Sequence, residues 1–196
     1  MNKVSLDDIM GLGAYEKVRD EFRRRIIELK KKRRVAVGSE VSLVFENRDT
    51  VIFQIQEMVR VERITDLDKI REEIETYNDL IPEPGELSAT LFLEIEGQEH
   101  LRQQLMKFLG IDEAVLLKIG GRSIHARFEE GRSKEDKISA VQYVKFPMDE
   151  DALESFLRGE RAELIINHAN YHAAAPIEPE TRKSLIDDLA APPSPK

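Results

Sequence analysis

The stretch from Phe45 to Ile64, FENRDTVIFQIQEMVRVERI, constrains the fold most because it combines a dense apolar stripe with acidic, basic and amide side chains. At the α-helical period the aliphatic side chains of residues 50–63 share one face, and the polar side chains lie elsewhere. The stretch therefore predicts an amphipathic helix, for which Asn47, Asp49 and Thr50 are the candidate caps. The apolar face consists of Val51, Ile52, Ile55, Met58 and Val59.

Glu62 is the polar residue that this period places against the apolar face, seven positions after Ile55 and four after Met58. A buried carboxylate without a partner would cost several kcal/mol or become protonated. In one interpretation Glu62 lies near the end of the helix, where it contacts solvent or an arginine such as Arg63.

In the other interpretation Glu57 or Glu62 joins Gln54 and Arg60 in a ligand or metal site. Two carboxylates five positions apart do not make a metal motif, because the carboxylate sites of helical bundles need a Glu-x-x-His pair that is absent here. Both interpretations stay open from the sequence.

Composition excludes several classes of site. The chain has 196 residues, of which 41% are hydrophobic and 35% charged, as expected for a globular protein with a well-solvated surface. It has no cysteine, which excludes disulfides, zinc–thiolate sites and a cysteine nucleophile. Any metal, with iron, manganese and zinc as the candidates, would need histidine, carboxylate or water ligands. No apolar run approaches a membrane-spanning length, so we expect a cytoplasmic protein.

Charge is unevenly distributed along the chain. Residues 17–34 contain ten basic and three acidic side chains, hence +7, which leaves −15 elsewhere for a net charge of −8. Such a basic helix either binds an anionic partner such as nucleic acid, packs against the acidic body or is simply solvated. The candidate anion-binding residues are Arg23, Arg24, Lys31, Lys32, Arg33 and Arg34.

The order of patterns predicts an α+β fold, with N-terminal amphipathic helices packed on a mostly antiparallel sheet of about five strands with inserted helices. Helical periodicity occupies residues 14–81, and alternating patterns with short helices occupy residues 87–170. We expect one domain over residues 1–175, followed by a partly disordered tail, 176–196, with a helix over Pro179–Leu189.

Two histidines follow the last predicted strand. His168 and His172 in NHANYH are four apart, a spacing that would place both imidazoles on one face of a helix, as in many metal pairs. The same residues at the end of a strand are equally typical of a hydrogen-bonded turn or a polar pocket rim. A metal site at His168 and His172 is therefore one of two interpretations.

The polar face of the predicted sheet is a second candidate surface. If the central helix covers this face, Glu57, Arg60 and Glu62 would meet Arg127 and Tyr143 in a polar interior. If nothing covers it, the face is solvated. The polar positions on its strands are Ser88, Thr90, Glu94, His125, Arg127, Tyr143 and Lys145.

The central stretch, together with IREEIETYNDLIPEPGELSATLFLEI (Ile70 to Ile95), resembles the bacterial family of uncharacterised proteins named for its domain of unknown function, DUF3501. Residues Ala14 to Gly38 and the run AVQYVKF, Ala140 to Phe146, also fit, so the resemblance extends to about His172. It implies proteins encoded beside rubrerythrin-like peroxide-reducing proteins and iron–sulfur oxidoreductase subunits. It supplies no catalytic residue.

Three functional hypotheses follow. The first is a cytoplasmic accessory or binding protein of a redox or peroxide-defence system. The second is a metal-dependent enzyme that uses Glu57 or Glu62 with His168 and His172. The third is nucleic-acid binding through the basic helix, residues 17–34. The sequence does not indicate the oligomeric state.

Overall fold

The computed structural model describes residues 1–95, 97, 101–129, 133–134 and 137–190. These residues form six α-helices, two larger antiparallel sheets and one two-stranded sheet. The helices are α1 (Leu12–Lys32), α2 (Arg48–Val61), α3 (Leu67–Asn78), α4 (Leu101–Met106), α5 (Glu150–Leu157) and α6 (Pro179–Ala190). The strands are β1 (Arg34–Ala36), β2 (Val41–Phe45), β3 (Glu86–Leu93), β4 (Val115–Ile119), β5 (Arg122–His125), β6 (Arg127–Phe128), β7 (Ser133–Lys134), β8 (Lys137–Ile138), β9 (Val141–Pro147), β10 (Ala162–His168) and β11 (Tyr171–Pro176).

The predicted α+β class, with N-terminal helices on an antiparallel sheet, is confirmed. The first sheet has five strands in the order β1-β2-β3-β9-β6, and the second has four in the order β11-β10-β4-β5. A single residue, Ala126, separates β5 from β6, so one run of chain crosses from the second sheet to the first. The predicted sheet of about five strands is thus accompanied by a second sheet.

The free edges of the two sheets meet at Tyr171 on β11. Its hydroxyl donates to the carbonyl of Val37 at 2.6 Å and accepts from the amide of Glu40 at 3.1 Å. Gly38 has φ of +76°, and a Cβ there would collide with the Tyr171 hydroxyl, so glycine is required at this contact. The two sheets therefore enclose one apolar core, to which Leu43, Phe45, Leu91, Leu117, Phe146 and Leu164 contribute.

The N-terminal helices form a second apolar cluster on the other face of the first sheet. α2 begins in a capping box in which Asn47 and Thr50 bond each other's backbone amides, so Asn47 is the cap among the three candidates. The inner face of α2 packs against Ile70 and Ile74 of α3, and Tyr143 of β9 packs against the same cluster. The buried α2 aliphatic side chains are Val51, Ile55 and Val59.

This packing settles the state of the polar sheet face. Ser88 and Thr90 of β3 are both buried, because the helical layer lies over them. The alternating pattern of the strand did not decide whether this face is covered or solvated. It is covered at Ser88 and Thr90, so β3 is buried on both sides.

The predicted helix over 179–189 is present as α6 and packs on the body. Leu185 is fully buried in the main core, and the Thr181 hydroxyl donates to the carbonyl of Lys32 at 2.7 Å. The division into a domain of 1–175 and a tail from 176 stays a prediction, and residues 191–196 lie outside the described residues.

In the part of the chain that the structure describes, no helix combines the length and the apolar composition needed to cross a membrane.

Candidate functional site

Glu57, on the outer side of α2, lies at the centre of a charged cluster with α1. Arg19 donates to its carboxylate twice, from Nε to Oε1 and from Nη2 to Oε2, both at 2.8 Å. The Tyr15 hydroxyl donates to Oε1 at 2.7 Å, and the Nε of Arg60 lies 3.4 Å from the same oxygen. Glu57 is therefore the residue through which α1 is fastened to α2.

These contacts decide what Glu57 can do chemically. The hydrogen bonds from Arg19 and Tyr15, with the nearby charges of Arg19 and Arg60, lower the pKa of Glu57 to about 2, although partial burial opposes the shift. Burial and the adjacent carboxylate raise the pKa of Tyr15 above its ordinary value. A carboxylate with so low a pKa and with its oxygens bonded to Arg19 and Tyr15 is a poor general base at neutral pH.

Glu46, between β2 and α2, is a second carboxyl group near this helix and is buried. Its side chain receives hydrogen bonds from neutral donors among the residues that the structure describes. The hydroxyl of Thr90 donates to Oε1 at 2.6 Å, and Oε2 accepts from the Thr50 hydroxyl and from Nε2 of Gln54 at 3.1 Å. Glu46 is 2% exposed. The cluster joins the start of α2 to the polar face of β3.

Arg33 at the end of α1 is the largest fully buried side chain, with 1% exposure. Its Nη2 lies 2.6 Å from Oδ2 of Asp188 on α6, and its other donors bond the carbonyls of Phe45 and Glu46 and the hydroxyl of Ser184. Burial raises the pKa of Asp188 although Arg33 opposes the shift. Arg33 is thus a structural cation and is withdrawn from any external anion.

The six residues of the predicted polar site do not form one site. Glu57 and Arg60 face α1, and Gln54 bonds Glu46. Arg127 and Tyr143 line a cavity of about 210 Å³ on the first sheet, which neither Glu57 nor Arg60 lines.

Glu62 requires a correction. It caps the C-terminal end of α2 and is exposed, because the helix ends at Val61 and the chain turns away through Arg63, which has φ of 53°. The backbone is still helical at Glu62, whose amide donates to the carbonyl of Met58 at 3.0 Å, but the side chain is exposed because the chain after it turns outward. This agrees with the interpretation in which Glu62 lies near the helix end and contacts solvent.

The two histidines are not brought together. His168, at the end of β10, is buried and stacks on Phe108 with ring centroids 6.3 Å apart. Its Nε2 lies 2.9 Å from the carbonyl of Leu109, and its Nδ1 accepts from the amide of Asn170 at 3.2 Å, so Nε2 carries the proton. His172 lies on β11 and is exposed on the opposite face. A β-hairpin occupies the segment, so the helical spacing argument does not apply.

No group of three or more histidine, aspartate or glutamate side chains among the described residues is placed to hold a metal ion. The hypothesis of a metal-dependent enzyme requires the carboxylate of Glu57 or Glu62 to lie close to the imidazoles of His168 and His172. Glu57 instead bonds residues of α1 and α2, and His168 bonds the segment around Leu109.

The ten basic residues of 17–34 divide into paired and unpaired groups, and Arg19 is paired with Glu57. Those near the end of α1 are paired: Lys31 with Glu28, Lys32 with Glu180, Arg33 with Asp188 and Arg34 with Glu94. Five others form no ion pair with any residue that the structure describes. These five are Lys17, Arg23, Arg24, Arg25 and Lys30.

A groove of about 250 Å³ lies between the N-terminal segment and the corner that joins α2 to α3, and we call it the N-terminal groove. Aliphatic side chains dominate its walls, and Leu67 is 55% exposed. Exposed aliphatic side chains that cluster in one concavity, unlike scattered ones, are typical of an interaction site. Its walls include Leu6, Ile9, Leu12, Val59, Ile64 and Leu67.

The family model described as "Protein of unknown function (DUF3501)" matches residues 3–189 of the chain. The chain belongs to the DUF3501 family. It is also similar to a protein of unknown function from Burkholderia pseudomallei K96243, known from a crystal structure. The two share 32% sequence identity and a TM-score of 0.90 over 96% of this chain and 100% of that one. No curated protein matches the sequence.

Two central residues of this DUF3501 chain have roles that the sequence did not predict: Arg33 was a candidate for binding an external anion, and Glu46 was not selected for any site. Arg33 lies seven positions after Ile26 and four after Leu29, so the helical period already placed it on the apolar face of α1. Glu46 gave a weaker signal, since it directly follows the apolar run of β2 and precedes the cap of α2.

Proposed function

We propose that this chain is a cytoplasmic accessory protein that binds a protein partner through the N-terminal groove. The groove carries this proposal. Leu6, Ile9, Leu12 and Ile64 are only partly buried in it, and Leu67 is mostly exposed, so a partner would remove a contiguous aliphatic surface from water.

The polar chemistry of the helical layer supports a binding role. The carboxyl groups of Glu57 and Glu46 and the guanidinium of Arg33 are each bonded to other parts of the chain. Glu57 fastens α1 to α2, and both helices contribute residues to the walls of the groove. A pre-formed groove binds with a smaller ordering cost than a flexible one.

The second part of the proposal concerns the identity of the partner. The resemblance to DUF3501 proteins implies a redox or peroxide-defence setting, with rubrerythrin-like and iron–sulfur proteins as the candidate partners.

Affinity purification of the full-length chain from its native lysate, with quantitative mass spectrometry, tests both parts. We expect wild type to enrich a rubrerythrin-like or iron–sulfur protein and the Leu12→Ser/Leu67→Ser variant to lose it. Both leucines are the first residues of their helices, where serine is tolerated. Leu157→Ser, on α5, is the matched control, since Leu157 is 42% exposed and does not line the groove. If wild type enriches no redox protein, the redox assignment is wrong.

A second candidate function, nucleic-acid binding through α1, is favoured by the unpaired cations of that helix. Arg23 and Arg24 are exposed and lack ion pairs within the described residues, which suits phosphate contacts. Affinity for a duplex should then fall steeply with salt, and Arg23→Gln/Arg24→Gln should weaken binding and reduce the salt dependence. Lys31→Gln/Arg34→Gln, at paired positions, is the control. A salt-independent affinity would exclude this function.

A further inference from the structure

The charges around the N-terminal groove indicate which kind of partner it fits. Residues 62–79, which form the α2–α3 corner and α3, contain seven acidic and three basic side chains, hence a net charge of −4. Arg71 is already engaged with Asp68 at 2.5 Å. The corner beside the groove is therefore negative.

Three carboxylates concentrate this charge. Glu73 on α3 is partly buried, and burial together with the neighbouring charges of Glu62 and Glu72 raises its pKa. None of the three has an ion pair with a residue of the described chain. Glu62 and Glu73 flank two of the groove's apolar residues, Ile64 and Ile70, in sequence. A cation brought to this corner would relieve carboxylate repulsion as well as form new ion pairs.

The walls of the groove also restrict the conformation of a partner. The N-terminal segment of residues 6–11, helices α1, α2 and α3 and the turn at Ile64 form them. The turn at Ile64 is closed by a hydrogen bond from its amide to the carbonyl of Val59 at 2.9 Å. None of the lining residues belongs to a β-strand, and the backbone amide and carbonyl of Met10 in the N-terminal segment are bonded to the side chain of Gln56. Among the residues that the structure describes, the groove therefore offers no unpaired strand edge to which an extended peptide could add. A partner segment must therefore satisfy its own backbone, as an amphipathic helix does.

We propose that the N-terminal groove receives an amphipathic helix of a partner protein that inserts aliphatic side chains beside Leu12 and Leu67 and places lysine or arginine against Glu62, Glu72 and Glu73. This inference rests on the proposed binding function and specifies its partner. The aliphatic contacts supply affinity, and the carboxylates select a cationic helix over an anionic one.

Two synthetic probes test the inference with the full-length chain. One is a fluorescent peptide of about 18 residues with leucine at helical spacing and lysine elsewhere, and the other has glutamate in place of lysine. Fluorescence anisotropy at about 50 and about 300 mM NaCl gives the affinities. We expect the lysine peptide to bind at least roughly tenfold more tightly at low salt, and the difference to shrink at high salt.

Variants separate the two contributions. Leu12→Ser/Leu67→Ser should weaken lysine-peptide binding by roughly tenfold or more, since each lost leucine contact removes buried apolar surface. Glu62→Gln/Glu72→Gln/Glu73→Gln should lower the preference for lysine and the salt dependence. Leu157→Ser should change neither.

The failures are distinguishable. Equal binding of the two peptides, with loss in the leucine variant, would overturn the charge inference and leave the groove as the binding site. An unchanged affinity of Leu12→Ser/Leu67→Ser for the lysine peptide would exclude the groove as the binding site, and the proposed function would fail with it. The remaining alternative is that a second copy of this chain occupies the groove, and sedimentation velocity of the protein without peptide tests it. A wild-type dimer that Leu12→Ser/Leu67→Ser dissociates would assign the groove to self-association and overturn the inference.

Discussion

Arg33 and Asp188 form an ion pair at 2.6 Å that joins the end of α1 to α6, across more than 150 residues of sequence. Arg33 also bonds the carbonyls of Phe45 and Glu46, between β2 and α2. Asn47, the cap of α2, donates to the other carboxylate oxygen of Asp188 at 3.2 Å. One buried guanidinium thus fixes the start of the central helix relative to the C-terminal helix.

Arg33→Met should lower the free energy of unfolding by about 3–5 kcal/mol, because it leaves a mostly buried carboxylate without its counter-ion and two carbonyls without their donor. Asp188→Asn should lower it less, by about 1–3 kcal/mol, because an amide oxygen can still accept from Arg33 although the buried guanidinium loses its counter-ion. Urea unfolding at neutral pH measures both. Equal losses in the two variants would show that the charge of Asp188, rather than its oxygen, is what Arg33 requires.

Helical spacing predicts that both Arg33 and Glu62 are buried against the apolar face of their helix, and this prediction holds for Arg33 but is wrong for Glu62. Each residue lies four and seven positions after aliphatic residues of its helix, and each is the C-terminal cap. Arg33 is buried because α6, distant in sequence, covers it, whereas the chain after Glu62 turns outward. Helical periodicity places a residue on a face, but only long-range packing decides whether that face is covered at the helix end.

Glu57→Gln should lower the free energy of unfolding by about 2–3 kcal/mol at neutral pH, since the group's pKa of about 2 lies well below its ordinary 4.5. A lowered folded-state pKa contributes stability above the unfolded-state pKa and loses it as pH falls towards 2. The difference between wild type and the variant should therefore be full above about pH 5 and small near pH 2.

Urea unfolding at several pH values measures this dependence. Glu16→Gln is the control, because Glu16 is largely exposed and approaches Arg60 only to 3.6 Å, so its loss should stay within about 0.5 kcal/mol. An unchanged unfolding midpoint in Glu57→Gln would contradict the structural role and return Glu57 to the candidates for catalysis.

His168→Ala should lower the free energy of unfolding by about 1–3 kcal/mol, because it leaves the carbonyl of Leu109 without its donor and removes a ring stacked on Phe108. His172→Ala should stay within about 0.5 kcal/mol, since His172 is exposed. Thermal unfolding with metal analysis of the untagged proteins measures both effects. Stoichiometric metal lost from both single variants would show that the two histidines act as one site.

The polar cluster of Glu46, Thr50 and Thr90 depends on a packing contact that the sequence does not predict. Strand alternation placed Thr90 on the polar face, and Thr50 was one of three candidate caps at the start of the central helix. Whether the helix lies over that face depends on how the two elements pack, and local periodicity carries no information on it. From the sequence, the contact between Thr50 and Thr90 through Glu46 was therefore no more expected than a solvated sheet face.

Arg63→Gly should raise the free energy of unfolding by about 0.5–1 kcal/mol, because Arg63 is the one residue other than glycine with a positive φ in the described chain. Its left-handed conformation ends α2 and lets the amide of Ile64 bond the carbonyl of Val59, which sets one wall of the N-terminal groove. Arg63→Ala is the matched control, since it removes the side chain but keeps the Cβ, and it should give no such gain. Urea unfolding of the three proteins measures the difference. A glycine variant no more stable than the alanine variant would show that the surrounding contacts, and not the left-handed backbone, set the stability of this turn.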